Sequence, residues 1–112
     1  MPNHTQDRLN RVFHGLSDPT RLAVVERLSR GPVPVSELAA DFPMALPSFL
    51  QHLRVLEDCG LVRSSKRGRV RTCRLSPRPL HLAQSWLQRQ RAHWNRRLDQ
   101  LDAYLIDLSE KS

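Results

Sequence analysis

The chain has 112 residues, 18 basic against 11 acidic for a net charge of +7, and two cysteines. That length holds one domain with a modest core, and the charge favours a polyanionic partner, nucleic acid before an acidic membrane surface. No apolar run approaches the ~18 residues of a membrane span and the opening "MPNHTQDRLN" lacks the core of a signal peptide, so a cytoplasmic protein without a membrane partner is expected.

The first predicted element is a helix over residues 5–15, "TQDRLNRVFHG". Leu9, Val12, Phe13 and Leu16 recur at helical spacing, Thr5 is a possible cap and Gly15 a stop. "SDPTR" starts a second helix, with either Ser17 or Asp18 as the cap and Pro19 in the first turn; Leu22, Val25 and Leu28 are expected to face the core. "SRGPVP", residues 29–34, breaks that helix, and "VSELAADF" forms a short third one. A tight "PMAL" connection then leads into a fourth, the spacing of a helix-turn-helix over residues 35–59.

The fourth helix, "ALPSFLQHLRVLEDCGLV", has two unlike faces. Steps of about 100° gather Leu46, Phe49, Leu50, Leu53 and Leu56 into an arc expected to be buried. The opposite arc presents Pro47, Ser48, Gln51, His52, Arg54, Val55 and Asp58. Its hydrogen-bonding groups are short or planar enough to meet base edges or phosphates, although a plain solvated face has the same composition.

After Gly60 the pattern changes to alternation around "KRG", a two-stranded wing over residues 61–75. From Arg63 to Arg78 there are seven basic residues and no acidic one. A solvated surface normally mixes signs, so phosphate contact is expected there. A helix over residues 78–109 then carries Leu80, Ala83, Leu87, Trp94, Leu98, Leu101, Leu105 and Leu108 at steps of mostly 3 and 4. A stripe about 45 Å long outruns what a winged domain covers, so a second copy is expected on it. The predicted fold is mainly α with a small β-hairpin: a single winged helix-turn-helix domain of about five helices.

Together, "LSDPTR", "HLRVLEDCGLV" and "RGRVRTCRL", in this order of helices, resemble the ArsR/SmtB family of bacterial winged-helix repressors over about residues 8–108. The resemblance implies a homodimer built on the first and last helices, with Leu9, Val12, Phe13, Leu87, Trp94, Leu98, Leu101 and Leu105 at its interface. It also implies that the fourth helix enters the major groove of operator DNA and that the protein represses transcription until a signal releases it.

Metal-sensing members of that family carry thiols in the third helix, where this chain has Glu37, Leu38, Ala39, Ala40, Asp41 and Phe42. A second family site in the last helix aligns with Pro79, His81, Ala92 and Asn95, or with Leu80, Leu82, His93 and Arg96. Either register keeps one ligand of four, so the chain looks like the branch without metal, and no metal or cofactor is expected. Cys59 and Cys73 are read as inert buried thiols, with a redox-sensing repressor as the alternative.

Residues expected at double-stranded DNA are Ser48, Leu50, Gln51, His52 and Arg54 on the helix, and Arg63, Lys66, Arg67, Arg69 and Arg71 on the wing. Gln51 suits adenine and Leu50 a thymine methyl; His52 is a base or a phosphate contact. Arg54 contacts phosphate or pairs with Asp58. Arg21 is expected to pair with a carboxylate such as Glu57. Trp86 and Trp94 are read as packing residues, with a small-molecule inducer site beside them left open. No nucleophile and base, paired carboxylates or phosphate loop is visible, so no enzymatic activity is expected. A sequence-tolerant architectural DNA binder shares the same electrostatics.

Overall fold

The computed structural model describes residues 4–111. In chain order these form α1 (His4–Leu16), α2 (Pro19–Leu28), β1 (Val33–Pro34), α3 (Val35–Ala40), α4 (Leu46–Asp58), β2 (Val62–Arg67), β3 (Val70–Leu75) and α5 (Pro77–Lys111). The architecture is a winged helix-turn-helix.

Local chain chemistry places the helix ends. Asp18 caps α2 from an extended backbone (φ −118°, ψ 137°): its Oδ2 accepts the Arg21 N–H at 3.0 Å, and Pro19 occupies a first-turn position where no N–H is missed. Gly60, at φ 80°, closes α4 in a Schellman arrangement. The Leu61 N–H reaches the Leu56 carbonyl and the Gly60 N–H the Glu57 carbonyl, each at 3.0 Å. Leu56 and Leu61, the apolar pair of that motif, are fully buried. Gly15 stops nothing, because α1 continues to Leu16. It is small because α1 lies against the end of α4: an added Cβ would meet Cys59 Sγ at 2.7 Å and Leu61 Cδ1 at 3.0 Å.

The wing pairs β2 with β3, Val62 opposite Leu75 and Arg67 opposite Val70, leaving a two-residue turn in which Gly68 takes φ 59°. The sheet has a third strand that the two-stranded reading lacked. Val33 and Pro34 pair antiparallel with Cys73 and Thr72, giving the order β1-β3-β2. Pro34 is tolerated because β1 is an edge.

Val24, Val25, Leu28, Leu38, Phe49, Leu53, Leu56, Leu61, Val62 and Cys73 form the core beneath α2–α4 and the base of the wing. Leu22, expected in it, is 43% exposed, and Val24 takes its place. Each step of three residues falls about 60° short of a full turn, so the face that buries Val25 and Leu28 has left Leu22 behind. In α4 the buried arc starts at Phe49, which stacks on Phe42 at 5.2 Å between ring centroids. Leu46 and Leu50, expected to be buried, are exposed: at about 100° per residue they point roughly 50° and 90° away from the direction shared by Phe49, Leu53 and Leu56.

The N-terminal part of α5 returns against α1, with Ala83 buried and Trp86 edge-on to Phe13 at 5.4 Å. Leu9 and Val12, expected at a dimer interface, are buried within their own protomer and have almost no surface left for another chain. Beyond this contact α5 runs on unsupported: every residue from Arg91 to Lys111 is exposed, including Trp94, Leu98, Leu101 and Leu105. Leu87 is likewise exposed. No helix among the described residues is long and apolar enough to cross a membrane.

Candidate nucleic-acid interface

The exposed arc of α4 carries Pro47, Ser48, Leu50, Gln51 and Arg54. Together with Glu57 and with Arg71 of β3, four of them line a cleft of about 510 Å³ between the helix and the wing: Pro47, Leu50, Gln51 and Arg54. Gln51 brings an amide donor and acceptor to this surface, and Leu50 brings an apolar edge. Arg54 forms no ion pair with Asp58, so its charge is free to meet a phosphate.

The wing adds charge in a graded way. Lys66, Arg67 and Arg69 flank the exposed tip and have no carboxylate partner among the described residues. Arg71 differs: its Nη2 donates to Glu57 Oε1 at 2.6 Å and its Nε to Ser64 Oγ at 3.1 Å, while Ser64 Oγ donates to the same Glu57 oxygen at 3.1 Å. Arg71, read from sequence as a phosphate contact, is therefore a clamp that holds the wing to α4, its charge already opposed by Glu57. Arg63, also expected at DNA, lies away from the tip. It sits at the base of the hairpin opposite Arg74, four pairs and roughly 13 Å from the tip, where it lines a groove with Arg8, Arg11 and Arg78.

His52 is half-buried beside α2 rather than on the open face. Its Nδ1 lies 3.2 Å from Arg21 Nη1 and 3.6 Å from Asp18 Oδ2. Arg21 donates from Nε to the Gly15 carbonyl at 2.9 Å and from Nη2 to the His14 carbonyl at 3.1 Å. The expected Arg21–Glu57 pair does not form, because Arg21 is committed to the end of α1 and Glu57 to Arg71. The Arg21 backbone N–H holds the Asp18 carboxyl below its ordinary value of 3.8, against the opposing effect of burial and aided by the charges of His52 and Arg21.

Both cysteines are free thiols. Cys59 Sγ donates to the Leu56 carbonyl at 3.3 Å, and Cys73 is buried in β3 opposite Ser64 and Val33. Burial pushes both thiols above their usual pKa, the opposite of what a reactive thiolate needs. The redox alternative is not favoured.

A helix-turn-helix domain family matches residues 16–65. The HTH-type transcriptional regulator Rv2034 of Mycobacterium tuberculosis is 41% identical over 98 residues, 88% of each chain. The crystal structure of an ArsR family transcriptional regulator, RHA00566, superposes with a TM-score of 0.75 at 51% identity, covering 80% of this chain and 93% of that one. The chain belongs to the ArsR family of winged-helix transcriptional regulators. The transcriptional repressor SdpR of Bacillus subtilis is 27% identical over 70% of this chain and 88% of its own length. This ArsR-family chain is a DNA-binding transcriptional regulator, and its family consists of regulators rather than enzymes.

Proposed function

We propose that the protein is a homodimeric transcriptional repressor that sets α4 into the major groove of a pseudo-palindromic operator and lays the wing tip along the flanking backbone. The observation that carries this reading is the cleft in which Gln51 and Arg54 of α4 meet the wing, bordered by the unopposed charges of Lys66, Arg67 and Arg69. Ser48, Leu50 and Gln51 take the base edges. Arg54 and the wing tip take phosphates or the adjacent minor groove, and His52, with its Nδ1 turned to Arg21 and Asp18, contributes at most its Nε2. Seating two such surfaces on one site occludes the promoter, in keeping with the repressor among the relatives.

Pairing through α5 is supported by its bare stripe of Leu87, Trp94, Leu98, Leu101 and Leu105. Phe13 and Trp86 lie at the root of that helix, where the two protomers begin to approach. The dimer fixes the separation of the two α4 helices and hence the spacing of half-sites. Small-molecule release is part of this reading, and cytoplasmic location is where its operator would be met.

The test is fluorescence anisotropy with the DNA upstream of its own gene against a scrambled duplex of equal length, at two salt concentrations, alongside analytical ultracentrifugation. An affinity gap that persists at the higher salt, with a sedimenting dimer that Leu98→Glu/Leu101→Glu converts to monomer, is the expected result. Affinities that fall together with salt, or a wild-type monomer at micromolar concentration, would contradict it.

A further inference from the structure

At the C-terminal end of α4, on the side that meets α1 and the start of α5, lies a second cavity, of about 430 Å³, whose charge the function above does not use. Arg8 and Arg11 of α1, Arg63 at the base of β2 and Arg78 in the first turn of α5 bring four guanidinium groups to it, against one carboxylate, Asp58. None of the four has a carboxylate within ion-pair distance among the described residues. The positive end of the 35-residue α5 adds to the same field, since Ser76, Arg78 and Pro79 form part of the wall. Asp58, Cys59 and Gly60 make the floor. A second groove of about 490 Å³ adjoins it through Arg11, Asp58 and Cys59, and continues between α1 and α4 past Asn10, His14 and Val55. Both volumes lie within the range of small-molecule pockets, about 300–1,000 Å³.

We propose that this double cavity binds a small organic anion, its carboxylate or phosphate head held by the arginines and its apolar body lying in the groove between α1 and α4. A guanidinium cluster is suited to such oxyanions because it donates paired hydrogen bonds in a plane. DNA is a poorer occupant. The cavity lies about 12 Å along α4 from Gln51, and a concave site of this size takes a small molecule rather than the backbone of a duplex.

Occupancy has a mechanical route to the DNA surface, and this part rests on the function proposed above. Gly15 and Cys59 pack without a gap beside the groove, so a body that fills it beyond its resting width can part α1 from α4 only by opening that contact. The end of α1 is tied through Arg21 to His52 on α4. The anion therefore lowers operator affinity by reorienting α4.

The experiment is isothermal titration calorimetry of the full-length protein with octanoate, inorganic phosphate and 1-octanol at constant ionic strength, repeated on Arg11→Gln/Arg78→Gln. Octanoate is expected to bind, phosphate more weakly and octanol not at all, with at least a tenfold loss in the double variant. The variant should keep its circular dichroism spectrum and, without ligand, its operator affinity within twofold. Phosphate binding as tightly as octanoate would assign recognition to the head alone and overturn the part given to the groove; octanoate binding more tightly than phosphate, or without it, supports both parts. Failure of both anions, equal binding of octanol, or octanoate binding untouched in the variant overturns the site. Loss of operator affinity in the ligand-free variant would make the cluster a DNA surface and overturn it equally. If octanoate binds but leaves operator affinity unchanged, the site stands and the proposed regulation falls, independently of whether the protein is a repressor.

Discussion

Arg71 on the returning strand of the wing and Glu57 near the end of α4 are joined at 2.6 Å, with Ser64 bridging the two. The pair is partly exposed, so it contributes little to stability, about 0–1 kcal/mol. Its effect is on position, since it ties the charged hairpin to the helix beside it. Arg71→Ala should change Tm slightly and leave the salt dependence of DNA binding nearly unchanged, because that charge is already opposed. Glu57→Gln frees Arg71 and removes a negative charge from the cleft, so affinity for all duplexes should rise and the salt slope should steepen by about 1. Anisotropy titrations over a salt series would read both; a slope lost in Arg71→Ala would show that Arg71 contacts phosphate after all.

Base and backbone contacts should separate cleanly by mutation. Gln51→Ala should alter sequence preference, costing about 1–3 kcal/mol on the preferred operator and little on scrambled DNA. Arg67→Ala should weaken all duplexes alike and flatten the salt slope by about 1. Equal losses on every duplex for both variants would contradict the division between helix and wing tip.

The contact between Gly15 and Cys59 predicts a specific rescue. Gly15→Ala forces a methyl into a space that Cys59 Sγ occupies, 2.7 Å away, and should destabilise by about 1–3 kcal/mol despite alanine's better helix propensity. Cys59→Ala alone should cost less, and the double substitution should recover part of the loss. A double-mutant cycle in urea measures the coupling; additive losses would show that the two positions do not share this space.

Asp18 predicts an acid limb of stability. A carboxyl whose pKa is lowered in the folded state stabilises fully above the unfolded value of 3.8 and loses that contribution as pH falls through the folded one. Asp18→Ala should therefore have a lower Tm than wild type at about pH 6, roughly two units above the unfolded value of 3.8, and the gap should close as the medium is made more acid. A gap that is independent of pH would mean that the charged cap is not what holds the start of α2.

What could be read from sequence was what neighbouring residues decide among themselves. The "SDP" start, the Gly60 exit and the "RG" turn each depend on a few consecutive residues, and all three form. Contacts between distant segments were not legible. Glu57 and Arg71 are 14 residues apart, and nothing in either's neighbourhood signals the pairing; Arg21 was consequently given Glu57 as a partner and the end of α1 was overlooked. Val33–Pro34 is too short for alternation to show, so β1 was missed. Gly15 was read as a helix stop because a glycine chosen for close approach looks the same in one dimension. In the candidate site the exposed polar arc of α4 was visible in advance, whereas the partners of His52 and Arg71, and the place of Arg63 at the base of the hairpin, became visible only with the packing.

The bare outer half of α5 ties the proposed dimer to the protein's own abundance. Helical stability in proteins comes mostly from packing of an apolar face, and residues 91–111 have none within the protomer. In the dimer proposed above, each chain would complete the other by covering that face. If DNA binding requires the pair, occupancy at low copy number rises as the second power of concentration, so a fall in synthesis lowers it more than in proportion.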